Sequence, residues 1–211
     1  MMKTDITAKG KKPELLDVIL LGMDIHGLEC ADIIERAGNY RLIGYVSQNQ
    51  EYPETFGGQP VLGNEKVIDK YPKAGLIPLK WESFRHTSRW VSLIDPSAFI
   101  ASTARIGKGS VIYPGCFIGA NAVLGDGVFM LHGCTVNHDN IIGDRTILAS
   151  NVTIAGSVTV GKYVYMGQGS NVRQYVKIGD HAFVGMGAVV LKDIPERTTV
   201  IGNPARPYVK S

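Results

Sequence analysis

From Ile94 onward a large aliphatic residue or Met returns at every sixth position. The series runs Ile94, Ile100, Ile106, Ile112, Ile118, Leu124, Met130, Val136, Ile142, Leu148, Ile154, Val160, Met166, Val172, Ile178, Val184, Val190. Seventeen hexads follow one another without insertion. Two residues before many of these positions sits a small or β-branched residue, as at Ala98, Ala104, Ser110, Cys116, Ala122, Val128, Cys134, Val152, Val158 and Val164. Residues two apart on a strand share a face. Each hexad therefore reads as a short strand with two inward side chains, followed by a turn. Six is not a helical period, and a strand–turn unit repeated at this length winds into a solenoid.

The chain has 211 residues, 45% hydrophobic and 19% charged, with 25 glycines. That suffices for one or two cores, and glycine without excess proline suits a turn-rich β architecture. A net charge of +3 is too small to imply nucleic acid. The opening MMKTDITAKGKKPE lacks the apolar core of a signal peptide, and no apolar run is long enough to span a bilayer. Cys30, Cys116 and Cys134 are odd in number and without CxxC spacing. They are expected to be reduced thiols of a cytoplasmic protein.

Residues 17–46 follow another pattern. Asp17–Gly22 reads as a buried strand, Gly27–Ala37 as a helix stopped by Gly38, and Arg41–Val46 as a second strand. This is a small Rossmann-like β-α-β start. Residues 61–63 and 64–71 could add a strand and a short helix, and residues 72–92 read as an irregular connection. The expected division is a flexible tail over 1–15, a small α/β domain over 16–92, the solenoid over 93–193 and a cap over 194–211. A cap is needed because an open solenoid end exposes unpaired strand edges.

One stretch inside the repeat departs from it: Val136-Asn137-His138-Asp139-Asn140-Ile141. An imidazole titrates near neutrality, at about 6.5 when unperturbed, and a neighbouring carboxylate can orient it and raise its basicity. With residues 18 apart stacked, His138 lies between Ala120 and Gly156, and Asp139 between Asn121 and Ser157. The imidazole then projects from a corner flanked by tiny residues. His132 belongs to another corner, in a column with Pro114, Ser150, Gln168 and Met186, and His181 belongs to the third.

The hexad pattern resembles the repeat of left-handed parallel β-helices, in which three hexads make one triangular coil. The β-α-β start, the Asn-His-Asp in the coil and the later Gly202-Asn-Pro-Ala-Arg206 together resemble the sugar acetyltransferases of the NeuD/PglD type over about residues 16–207. The implied fold is a mainly β chain: a left-handed parallel β-helix preceded by a small α/β Rossmann-like domain. The implied activity is acetyl-CoA-dependent N-acetylation of a nucleotide-linked 4-amino sugar in bacterial glycan or lipopolysaccharide synthesis, with sugar or sialic acid O-acetylation as the alternative. The resemblance makes His138 the general base and Asp139 its support. It assigns Gln168, Met186 and Ile147 to acetyl-CoA, and Asp24, Ile25, His26, Ser47 and Gln48 to the sugar substrate. It implies a homotrimer with active sites between neighbouring prisms, and neither a metal, nucleic acid nor membrane insertion.

The chain departs from the family at four places. Gly22-Met-Asp-Ile-His-Gly27 replaces a glycine-rich loop, Ser47 and Gln48 replace an acidic pair, Ile147 replaces a histidine, and the family's later Ile-Gly-Asp/Asn-Asn loop is not recognisable in residues 72–92. Two other classes compete. A trimeric hydratase would hold zinc through three histidines, but His132, His138 and His181 sit on different corners. A binding protein with an altered loop would take CoA without turnover.

Overall fold

The structure, a computed structural model, describes residues 15–79 and 88–208. The tail expected over 1–15 lies outside the described residues except for Leu15, and so do residues 80–87.

The amino-terminal part is a five-stranded sheet in the order β3-β4-β2-β1-β5. Its strands are β1 (Leu16–Leu21), β2 (Tyr40–Ser47), β3 (Thr55–Phe56), β4 (Gln59–Asn64) and β5 (Gly75–Pro78). All neighbours are parallel except the β3–β4 hairpin, which turns at Gly57 and Gly58 with φ of 56° and 76°. Between β1 and β2 runs α1 (Ile25–Ala37). The Asp24 carboxylate caps its start by accepting from the Gly27 amide. Gly38 ends it at φ 67°, a conformation that costs glycine little. A 3-10 helix (Glu65–Lys70) follows β4. β5 corrects the irregular connection expected over 72–92: its four residues are all buried, so no period of two marks them.

From Leu93 the chain coils into three parallel faces with an 18-residue register, as in Phe99–Phe117–Thr135–Thr153. Face I begins with Leu93–Ile94 and continues through Val111–Ile112, Phe129–Met130, Ile147–Leu148, Tyr165–Met166 and Phe183–Val184. Face II runs from Phe99–Ile100 through Phe117–Ile118 and Thr135–Val136 to Val189–Val190. Face III runs from Arg105–Ile106 through Ile141–Ile142 to Lys177–Ile178. Each strand is only two residues long, because the four others in the hexad make the corner. The anticipated inward columns are buried, including Ile118, Val136 and Ile154 in one and Cys116, Cys134 and Val152 in the other. Burial of these apolar columns, at roughly 25 cal/mol per Å², drives the winding. Inward polar residues bond the backbone of the next coil: Thr146 Oγ1 donates to the Gly161 carbonyl at 2.8 Å and accepts from the Val164 amide at 3.2 Å.

At the top, Thr199–Ile201 extends face I and Arg206–Pro207 folds back on it antiparallel. At the bottom, the α/β part is tied to the coil. Tyr40 Oη donates to the Ser92 carbonyl at 3.1 Å, and Arg36 pairs with the fully buried Asp95 at 3.1 Å. Among the described residues no helix is long and apolar enough to cross a membrane.

Candidate active site

The corner between faces II and III is built by Asn137-His138-Asp139-Asn140. Its third residue must take the left-handed region, and Asp139 does so at φ 59°, as do Asn121 (61°), Ser157 (60°) and Tyr175 (66°) in the same column. Asn and Asp tolerate that conformation better than most residues. Asn140 turns inward and is fully buried. Its amide donates to the Asn137 carbonyl at 2.9 Å, and its side-chain oxygen accepts from the Val158 amide at 2.7 Å. Asn137 donates to the Ile154 carbonyl at 3.0 Å. The corner is thus stapled from inside while its polar tip stays in solvent.

At that tip His138 Nδ1 lies 2.7 Å from Asp139 Oδ2, and the other carboxylate oxygen accepts from the Asn121 amide at 3.0 Å. The Asn121 hydrogen bond and then the His138 ring hold the Asp139 carboxyl below the usual carboxylate range. At neutral pH it is therefore ionised and can only accept. Nδ1 then carries the proton, and Nε2 is left as a free lone pair. The ring is 63% exposed and lies across Gly156. A Cβ there would stand 2.6 Å from Nε2, so the notch that the small neighbours leave is filled by the imidazole. Such a pair can take a proton from an attacking group, given a partner within hydrogen-bond reach of Nε2.

His132 lies on the corner between faces I and II, where its Nδ1 lies 3.2 Å from Ser150 Oγ. Above it in the same column come Gln168 and Met186, both exposed, Met186 by 75%. The corner is open: nothing lies within 4 Å of where a Cβ would stand at Gly169 or Gly187. Ile147 sits on face I between Phe129 and Tyr165, and Tyr165 stacks on Phe183 at 5.0 Å. An apolar, partly exposed strip therefore runs beside Gln168 and Met186. Within one chain it is a different corner from that of His138.

The positions expected to meet the sugar gather at the carboxyl ends of β1 and β2, where open α/β sheets bind ligands. Ile25 is exposed, whereas the Asp24 carboxylate is occupied in capping α1. Ser47 is buried with its hydroxyl accepting from the Asn49 amide at 3.0 Å, and Gln48 beside it is exposed. His26 reaches the coil: its ring meets Phe129 edge-on at 5.4 Å, and its Nδ1 lies 3.2 Å from Tyr113 Oη. Next to it a cavity of about 230 Å³ is lined by Glu29, Asp32, Arg36, Tyr113, Pro114 and His132. Asn121 could be placed from its register below Asp139. Glu29 and Tyr113 could not, because nothing in sequence shows which coil meets α1. Among the described residues no group of three or more His, Cys, Asp or Glu side chains could hold a metal ion.

No protein-family profile matches the chain, and no curated protein matches it. Solved structures do. The acetyltransferase domain of PglB from Neisseria gonorrhoeae FA1090 is 26% identical, with a TM-score of 0.83 over 91% of this chain and 99% of that one. The same domain in complex with acetyl coenzyme A is 25% identical, with a TM-score of 0.82 over 92% and 100%. PerB from Caulobacter crescentus, in complex with CoA and GDP-perosamine, is 25% identical, with a TM-score of 0.81 over 92% and 97%. The architecture and these likenesses fit a hexapeptide-repeat sugar acetyltransferase.

Proposed function

We propose that the protein is a cytoplasmic N-acetyltransferase that moves the acetyl group of acetyl-CoA to the amino group of a nucleotide-linked 4-amino sugar, in bacterial glycan or lipopolysaccharide assembly. The observation that carries this is the His138–Asp139 pair, with Nδ1 tied to a carboxylate and Nε2 open over Gly156. The complexes of PglB with acetyl coenzyme A and of PerB with CoA and GDP-perosamine support the donor and acceptor classes.

In this reading the acceptor nitrogen attacks the thioester carbonyl directly. His138 Nε2 takes the proton that the nitrogen sheds, and the Asp139 carboxylate stabilises the resulting imidazolium. The ring then returns the proton to the departing sulfur. No covalent enzyme intermediate is needed. General-base help of this kind is worth roughly 100- to 10,000-fold. Cys116 and Cys134 are buried in the inner column and take no part.

A homotrimer accounts for the separation of the corners. The His138 corner and the Gln168–Met186 corner flank the two edges of face II. A ring of three copies with face II toward its axis joins one edge of each copy to the other edge of its neighbour, a heterologous contact that closes. Threefold symmetry keeps coils at equal height, so His138 of one copy meets the level of His132 in the next. Gln168, Met186 and Ile147 then line the acetyl-CoA groove above that level. The cavity beneath His132, with His26 beside it, takes the acceptor side together with Ile25 and Gln48 beyond the carboxyl ends of β1 and β2. Phe99 and Phe117, stacked at 5.0 Å and exposed on face II, suit such an interface.

Calorimetric titration with acetyl-CoA, then with GDP-perosamine and a UDP-linked 4-amino sugar, tests the assignment. Binding of the donor and one acceptor is expected, with His138→Ala keeping the trimer and losing at least about 100-fold in kcat. An active His138→Ala would remove the base, and failure to bind acetyl-CoA would remove the activity. Transfer to sugar hydroxyls alone would shift the reading to O-acetylation.

A further inference from the structure

Three polar side chains meet where α1 abuts the coil. His26 Nδ1 lies 3.2 Å from Glu29 Oε2 and 3.2 Å from Tyr113 Oη. His26 and Glu29 are one helical turn apart on α1, whereas Tyr113 comes from the corner after face I. Cys30 Sγ stands 3.9 Å from the same phenol. Glu29 and Tyr113 also form part of the cavity wall that continues to His132. The His26 side chain is 37% exposed, and its Nε2 makes no hydrogen bond among the described residues.

The donor inventory decides what that nitrogen can do. A neutral imidazole carries one proton, and a carboxylate only accepts. Burial pushes the Tyr113 phenol far above its ordinary value, with the Cys30 and Glu29 groups adding to the shift, so it keeps its O–H. With Glu29 present, Nδ1–H donates to the carboxylate and Nε2 holds the lone pair. Without Glu29, the remaining partner of Nδ1 is the Tyr113 hydroxyl, which can donate as well as accept. The imidazole proton is then no longer held on Nδ1, and its move to Nε2 changes the exposed nitrogen from acceptor to donor.

We infer that Glu29 is a positioning residue for the sugar acceptor: it holds His26 in its Nδ1–H form, so that Nε2 accepts a hydrogen bond from an amine or hydroxyl of that sugar. This rests on the proposed function, in which His26 lines the acceptor side.

The test uses the full chain with ¹⁵N-labelled histidine rings. Long-range ¹H–¹⁵N spectra report the tautomer, His26→Gln identifies the signals, and calorimetry with GDP-perosamine reports acceptor affinity. The wild type should carry the proton on Nδ1. Glu29→Ala should move it to Nε2 and weaken GDP-perosamine binding about tenfold, since a donor left facing a donor costs on that order. Acetyl-CoA affinity should not change. Glu29→Gln, whose amide oxygen still accepts from Nδ1–H, should restore both. A wild-type proton on Nε2, or a tautomer shift that leaves acceptor affinity untouched, would overturn the inference. A wild type that binds acetyl-CoA but no nucleotide sugar would count against the proposed acceptor instead, and the spectra would still decide what Glu29 does to His26.

Discussion

If His138 is the base proposed above, Gly156→Ala should disable it without removing it. Gly156 has no positive φ, so its backbone accepts Ala. The new Cβ would stand 2.5 Å from His138 Cε1 and 2.6 Å from Nε2. Carbon atoms in comfortable contact are about 3.5–4.0 Å apart, so the ring must retreat by roughly 1 Å. It has room, being 63% exposed, and the collision involves no backbone. Retreat takes Nδ1 off Asp139 or turns Nε2 away from the acceptor. Misplacing a reacting group by about 1 Å costs on the order of 100-fold. The expected result is therefore a kcat about 100 times lower with an unchanged KM for acetyl-CoA. Stability should change by no more than about 0.5 kcal/mol, as at other surface sites. Release of the CoA thiol, followed with a thiol-reactive dye, gives the rate, and a thermal melt gives the stability. A kcat within threefold of wild type, with the melt unchanged, would mean that the ring works from another position or that His138 is not the base.

Arg36→Met should destabilise the junction between α1 and the first coil, because Asp95 is fully buried and would keep only its bonds to Ser97. Breaking a buried pair costs about 3–5 kcal/mol; with Arg36 half exposed, about 2 kcal/mol is expected. That is a fall in Tm of about 4–8 °C, and an unchanged melt would refute the role. For Asp139 the folded pKa is lowered, so its ionised form is favoured above the ordinary carboxylate range and lost only as pH falls through the lowered value. Protonation of Asp139 should thus not set the acid limb of activity. Asn121→Ala should move the Asp139 carboxyl up toward the ordinary carboxylate range in a ¹³C NMR titration, and a titration that stays put would deny the hydrogen bond its effect.

Much of this fold is legible because the repeat is its own alignment. Ile118, Val136 and Ile154 occur at fixed spacing, so stacking follows by arithmetic, and with it the neighbours of His138 and Asp139. The α/β part offers less. Gly75–Pro78 forms a strand buried on both faces, which erases the alternation that marks a half-exposed one. Thr55–Phe56 is too short to show any period, and only the Gly57-Gly58 turn betrays the hairpin. The His26–Glu29–Tyr113 cluster lay beyond reach for a different reason. Its members are 87 positions apart at the extremes, and their meeting depends on how α1 sits on the coil. Likewise, burial of Ser47, with its hydroxyl bonded to the Asn49 amide, leaves no mark in the sequence.

The fixed register of the coil also makes the protein's length variation quantised. Removing or adding a single residue would rotate every later side chain off its face. Removing 18 would return each to its column one step of about 4.8 Å nearer the base. The distance between His138 and the level of Met186 is in effect counted in whole coils. Relatives or designed variants that accommodate a longer or shorter acyl carrier would be expected to differ by multiples of that unit, with the His138 corner left untouched.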